Sequence, residues 1–306
     1  MSKQSRLISL ISACGLFLAM QCAHATYSCS ITSPGWVSSY FPADTVNATR
    51  AAQVTISCTR ASADPTTMTY AIEEDLGLHV TGGINQAISG ANLIKYNEYQ
   101  DAAFTQVLGN CSPKKNAIFG TLDFGTGTSA NLIIPYYASI PFGQNVAGGN
   151  YTDTVTFTLA YPNPTNTCSG ASIATNSHSV LIIVNPICTI NVPPGNFNFA
   201  YKSFQTAAVT ASTIFALTCT LYVPYSVGLD AYAVTDTTTN IAYTLNVGQN
   251  TRPAGSKYTA GAALTASGSG SQQLISIDAR VAGGQIGTCS SGLCSGSTMR
   301  TMTITY

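Results

Sequence analysis

Charge is what this 306-residue sequence has least of: Asp, Glu, Lys and Arg make up 8% of it, against about a quarter in an average soluble domain. Twelve basic residues face twelve acidic ones, a balance that offers no reason to expect nucleic acid or an anionic membrane as a partner. Histidine is scarcer, at three. Only Cys289 and Cys294 are spaced like a metal-ligand pair, so no metal site is expected. Long apolar runs are missing as well. The run from Leu7 to Met20 spans fourteen residues, short of the ~20 that a membrane helix needs. There is no G-x-S-x-G and no phosphate-binding glycine loop. Asp123-Phe-Gly125 spells a kinase tripeptide, but in Gly/Thr-rich surroundings it reads as a turn after a strand. The acidic triplet Glu73-Glu74-Asp75 reads as a solvated turn, the alternatives being half of a glycosidase pair or a calcium ligand set. No catalytic residues and no cofactor are expected, with a secreted glycosidase as the remote alternative.

What is present begins with an export signal. Lys3 and Arg6 precede the apolar run, and Ala23-His24-Ala25 supplies a small-x-small cleavage site. Residues 1–25 are therefore read as a signal peptide, with a mature chain from Thr26. Removing it leaves ten basic against twelve acidic residues, a net charge near −2, and eight of the ten cysteines. An even cysteine number in an exported chain reads as disulfides. Thr, Ser, Asn and Gly carry the polarity, which suits a surface packed against neighbours.

The cysteines divide four and four, and the two sets match. Cys29-Ser-Ile-Thr is followed 29 residues on by Cys58, and Cys188-Thr-Ile-Asn is followed 31 residues on by Cys219. Pairs Cys29–Cys58 and Cys188–Cys219 are expected, each closing a loop for which the chain-entropy model gives roughly 3–4 kcal/mol. Cys111–Cys168 and Cys289–Cys294 are the further pairs. Each set closes on a Thr-rich alternating run ending in tyrosine, Thr154–Tyr161 and Thr298–Tyr306. Alternation of Thr with Val, Ile, Phe or Leu is the period-two mark of a half-buried strand. Gly/Asn/Pro clusters such as 147–150 and 267–270 separate such runs, and no helical-period stretch competes. The expected fold is all-β, two immunoglobulin-like sandwiches, an N-terminal domain over 26–185 and a C-terminal domain over 186–306.

The two units differ past their matching tyrosines. After Tyr161 the first continues through a loop into Ser179-Val-Leu-Ile-Ile-Val184, an unbroken apolar strand, while no such run follows Tyr306. Val180, Leu181, Ile182, Ile183 and Val184 are thus read as a strand that completes the first domain in cis. The second is expected to be incomplete, with an open groove edged by Met299, Met302, Ile304 and Tyr306. Burying one Leu, Ile or Val is worth roughly 1.5–3 kcal/mol, so such a groove should destabilise the domain until a strand fills it. Only three residues precede Cys29 in the mature chain, leaving no strand to lend, and a terminal subunit of an assembly is expected.

At these residues the sequence resembles the spore coat protein U family, whose domains build archaic, Csu-type chaperone–usher pili. Ile140-Pro-Phe-Gly-Gln144 followed by Ala147–Tyr161 is similar to its closing motif, P-x-G-Q then G-x-Y-x-D-T-V-T-V-x-x-x-Y. Leu93–Asp101 resembles its L-x-Y-x-L-Y-x-D strand, and 225–230, 241–245 and 299–306 match more loosely. The resemblance implies donor-strand complementation: a periplasmic chaperone fills the groove, and at the outer-membrane usher the next pilin's strand replaces it. It also implies passage through the periplasm to the cell surface, and a pilus-tip subunit mediating adhesion to host or abiotic surfaces and biofilm formation. The alternative is a non-adhesive initiating or structural pilus or coat subunit. Strand parity puts loops 59–67, 101–131 and 162–178 at the end away from the second domain. Csu-type tip adhesins grip through exposed hydrophobic loops, so the candidate adhesive loop is Phe104, Val107, Leu108, Ile118, Phe119, Leu122 and Phe124. A second apolar cluster, Trp36, Val37, Tyr40 and Phe41, falls at the near end.

Overall fold

The structure, a computed structural model, describes residues 27–110, 116–161, 170–249, 261–288 and 295–306. The signal segment and Cys111, Cys168, Cys289 and Cys294 lie outside the described residues. Among the described residues there is no helix, and the fold is all-β.

The first part of the chain forms β1 (Ser28–Thr32), β2 (Trp36–Tyr40), β3 (Ala48–Thr59), β4 (Thr67–Glu74), β5 (Val80–Thr81), β6 (Ile84–Ser89), β7 (Asn92–Tyr99), β8 (Ile118–Asp123), β9 (Ser129–Ile140), β10 (Gly149–Tyr161) and β11 (Ala171–Val184). One layer runs β1–β3–β9, the other β8–β4–β10–β11–β2, with β6 and β7 joining them. The period-two alternation does what physics requires of it: Val54, Ile56 and Cys58 of β3 and Tyr151, Asp153, Val155, Phe157 and Leu159 of β10 are all buried, and the residues that alternate with them face outward. The layers meet ring to ring where Tyr136 of β9 stands edge-on to Phe157 at 5.2 Å. Cys29 and Cys58 face each other across β1 and β3 and are bonded.

The second part repeats the plan with fewer strands: β12 (Cys188–Val192), β13 (Val209–Cys219), β14 (Pro224–Leu229), β15 (Ala233–Thr235), β16 (Ala242–Gln249), β17 (Leu264–Ser267), β18 (Gln272–Val281) and β19 (Met302–Thr305). One sheet runs β12–β13–β18–β16–β15 and the other β17–β14–β19. Phe215, Leu217, Tyr225, Val227, Val247, Ile275 and Ile277 form a core drawn from both, separate from the core of the first part. Cys188 and Cys219 are bonded at the place that matches Cys29 and Cys58.

Set side by side, β8–β4–β10–β11–β2 corresponds to β17–β14–β19. The second sheet carries no counterpart of β11 or β2 among the described residues.

Candidate strand-complementation site

β11 sits between two partners. It pairs antiparallel with β10, from Gly149↔Val184 to Tyr161↔Ala171, and parallel with β2, from Trp36↔Val180 to Tyr40↔Val184. Val180, Ile182 and Val184 point inward and are buried, while Leu181 and Ile183 are half-buried on the outer face. Pro34-Gly35 aims β2 along this strand. Gly35 has a φ of +72°, and a Cβ there would lie 2.1 Å from the Ser179 carbonyl oxygen. Only glycine allows that approach.

In the second part the same place is open. β19 pairs with β14 on one side, at Leu229↔Met302 through Ser226↔Thr305, and among the described residues has no strand on the other. Met302 and Ile304 are half-buried against the core. The other two groove residues expected from sequence do not belong there: Met299 is 92% exposed and precedes the strand, and Tyr306 is 58% exposed beyond it. Met299 is three residues from Met302 and so of the opposite parity, and Tyr306 lies past the four residues of this run that find ladder partners. Pro194-Gly195 repeats the Pro34-Gly35 pair in sequence, but here the glycine N–H donates to Thr213 Oγ1 of β13 at 2.7 Å, and residues 196–200 form no strand and make no backbone–backbone hydrogen bond among the described residues. Phe197 reaches the core, and Phe199 lies 6.3 Å from both Phe197 and Tyr243. A strand edge without a partner, beside apolar side chains, is what an added strand satisfies.

Two polar clamps hold the run into β19. Arg300 makes a bidentate pair with Asp230, Nε to Oδ1 at 3.0 Å and Nη2 to Oδ2 at 2.7 Å. Thr298 donates its hydroxyl to Asp236 Oδ2 at 2.9 Å, and the backbone N–H and hydroxyl of Thr239 hold the Asp236 carboxyl below its usual range.

The first part contains a feature that sequence reasoning missed, a polar cluster within its core. Glu98 Oε1 accepts from Trp36 Nε1 and lies 3.3 Å from His178 Nε2. Glu74 Oε1 accepts from Asn85 Nδ2 at 3.3 Å, and burial and the nearby Glu98 push the Glu74 carboxyl well above its usual range. All five residues are buried. Reading Glu74 as part of a solvated turn is therefore corrected: it closes β4 with its side chain on the inner face. The described residues hold no group of three His, Cys, Asp or Glu able to bind a metal.

Residues 15–158 match the family model of the Spore Coat Protein U domain. The chain carries a spore coat protein U domain. The match ends inside β10, so β11 lies beyond it. By sequence, no curated protein matches the chain. Among solved structures it is similar to the CsuC–CsuE chaperone–tip adhesion subunit pre-assembly complex of the archaic Csu pili of Acinetobacter baumannii, at 15% identity over 91% of this chain and 100% of that one, TM-score 0.44. It is also similar to the CupB6 tip adhesin from Pseudomonas aeruginosa, at 11% identity over 92% and 94%, TM-score 0.43.

The apolar loop expected on the spore coat protein U domain is not an exposed surface. Leu108, Leu122 and Phe124 are buried, and Phe104, Val107, Ile118 and Phe119 are half-buried. The reason is pairing. Ile118–Asp123 is a strand laid along β4, and Val107 bridges back to Tyr99, so the segment forms part of the sandwich. Phe104, at φ +56°, tucks its ring against Tyr99 and Tyr137 at 5.4 and 6.3 Å. In the second apolar cluster Trp36 and Tyr40 are core residues, whereas Val37 and Phe41 are exposed. Phe41 precedes a loop tied to its neighbour by Asn47 and the Phe142 N–H, at the end of the sandwich where β11 exits.

Proposed function

We propose that the chain is a chaperone–usher pilus subunit of two domains, 26–185 complete in itself and 186–306 completed by a strand from another protein. The observation that carries this reading is the comparison of the two sheets. β8–β4–β10 continues into β11 and β2, while among the described residues β17–β14 stops at β19 and the segment 196–200 forms no strand. An apolar donor strand would lie antiparallel to β19 and parallel to that segment, as β11 does between β10 and β2. A periplasmic chaperone and then the next pilin, added at an outer-membrane usher, are its partners, and the cell surface is its destination. Within the pilus the chain takes the tip position, with the spore coat protein U domain outward as the unit that contacts host or abiotic surfaces and seeds biofilm.

The inert-cap alternative draws support from one observation: the apolar residues of 104–124 are packed into the sandwich. Surface attachment by cells with and without the subunit separates the two. The groove itself is tested by thermal unfolding of the full chain with a synthetic peptide of alternating Val and Ile. The expected result is two transitions, of which the peptide raises only the lower, by RT ln(1 + [L]/Kd). A profile that no donor peptide moves would remove the pilus reading.

A further inference from the structure

We infer that the buried Glu74–Glu98–His178–Trp36 cluster is a register key, fixing which strand fills the first groove and which of its residues face inward. The inward face of β11 reads His178, Val180, Ile182, Val184. Three of the four are interchangeable small apolar residues. A slip of one residue would turn the face inside out, but a slip of two preserves the alternation and would leave the groove filled almost as well. His178 is what tells the registers apart. It pairs with Glu98 of β7 and lies with its ring stacked on Phe157 of β10 at 4.7 Å. Trp36 of β2, which faces Val180 across the ladder, donates to the same Glu98 oxygen. A two-residue slip would set Val180 against Glu98 and leave buried carboxyls without their imidazole, an arrangement strongly disfavoured. Fixing register is the best-attested use of a polar group within an otherwise apolar interface.

Among the described residues the second groove shows no such key. Leu229 pairs with Met302 where Glu74 pairs with Phe157, and these two partners stand four residues before the matching Tyr306 and Tyr161. At the level of Glu98, β16 offers Leu245 and Val247, both buried. The first groove is thus built for one histidine-bearing strand and the second for any apolar one. The statement about the second groove deepens the proposed function and rests on it; the statement about the first does not.

The test reads register in the full chain through paired cysteines on β10 and β11. Thr154 faces Ser179 in the native ladder, so Thr154→Cys with Ser179→Cys reports that register. Thr154→Cys with Leu181→Cys reports the two-residue slip. Disulfide yield is measured by non-reducing peptide mapping. With His178 intact only the native pair should form. His178→Val should raise the slipped cross-link at least tenfold, and His178→Gln, which keeps a donor, should restore the native one. Glu74→Leu/Glu98→Val/His178→Val removes the buried charge, so it should fold even if His178→Val does not, and should populate both registers. A native cross-link alone in the triple variant would overturn the inference. None of these outcomes depends on whether the second groove accepts a donor, so the two readings fail separately.

Discussion

Ile182 and Ile183 are neighbours of identical chemistry on opposite faces of β11, which makes them a controlled pair. Ile182 is fully buried between the layers, and Ile183 is half-buried across from Asn150. Replacing a buried isoleucine by alanine costs the transfer free energy of the lost methyl and methylene groups plus the cavity left behind, about 2–5 kcal/mol. Ile183→Ala removes the same atoms from a place that already touches water and should cost less than about 1 kcal/mol. In a unit of this size 1 kcal/mol moves Tm by about 2–4 °C. Ile182→Ala should therefore lower Tm by about 4–20 °C and Ile183→Ala by no more than a few degrees. The assay is differential scanning calorimetry of the full chain, following the transition that donor peptide leaves unmoved. Equal shifts for the two variants would refute the view that β11 is a core strand of the first sandwich, and with it cis completion.

Glu74→Gln should stabilise the protein relative to wild type as pH rises. Burial first, and then the neighbouring Glu98, raise the Glu74 carboxyl above its usual range, against the hydrogen bond from Asn85. Its contribution is thus fully present below about pH 4.3 and lost as pH climbs through the folded value. Gln stays neutral, so the gap between the variants should widen by up to about 1.4 kcal/mol per pH unit. Urea midpoints from pH 4 to 8 measure it, and a gap that stays flat contradicts the assignment. Arg300→Ala breaks a partly exposed pair and should cost under about 1 kcal/mol. It should nevertheless speed amide exchange at Met302–Thr305 by up to about fivefold while β13 and β18 stay protected. Unchanged exchange there would mean the clamp does not hold β19.

The sandwich was legible because its signal is local: Thr alternating with Val, Ile or Phe can be read within one strand, and the matched Cys-x-x-x openings mark the start of each half. The apolar strand at 180–184 was legible for the same reason. What stayed hidden was made by distance. Glu74, Glu98 and His178 belong to three strands, the last two 80 positions apart, and nothing near any of them announces the others. The segment from 104 to 124 misled because hydrophobic residues between obvious strands look like a surface loop. Only the pairing of Ile118–Asp123 with β4 turns them inward. Met299 shows a different error: it stands three residues before Met302, so it has the opposite parity to Met302 and Ile304, and the ladder begins only at Met302.

The route by which β11 leaves its sheet governs how tension would pass through the molecule. The strand is hydrogen-bonded along one flank to β10 over nearly its whole length and along the other to β2 over five residues, and it runs directly through Asn185 and Pro186 into β12. A pull on the second half would therefore act along the axis of β11. Loaded that way, the ladders on both flanks resist in shear, sharing the force across many bonds at once, whereas a pull across the strand would open them one after another like a zip. The buried side chains at 178, 180, 182 and 184 would have to leave their sites together before the strand could move. A joint of this kind holds fast under steady drag, which is the condition that a filament anchored at one end meets in flowing liquid.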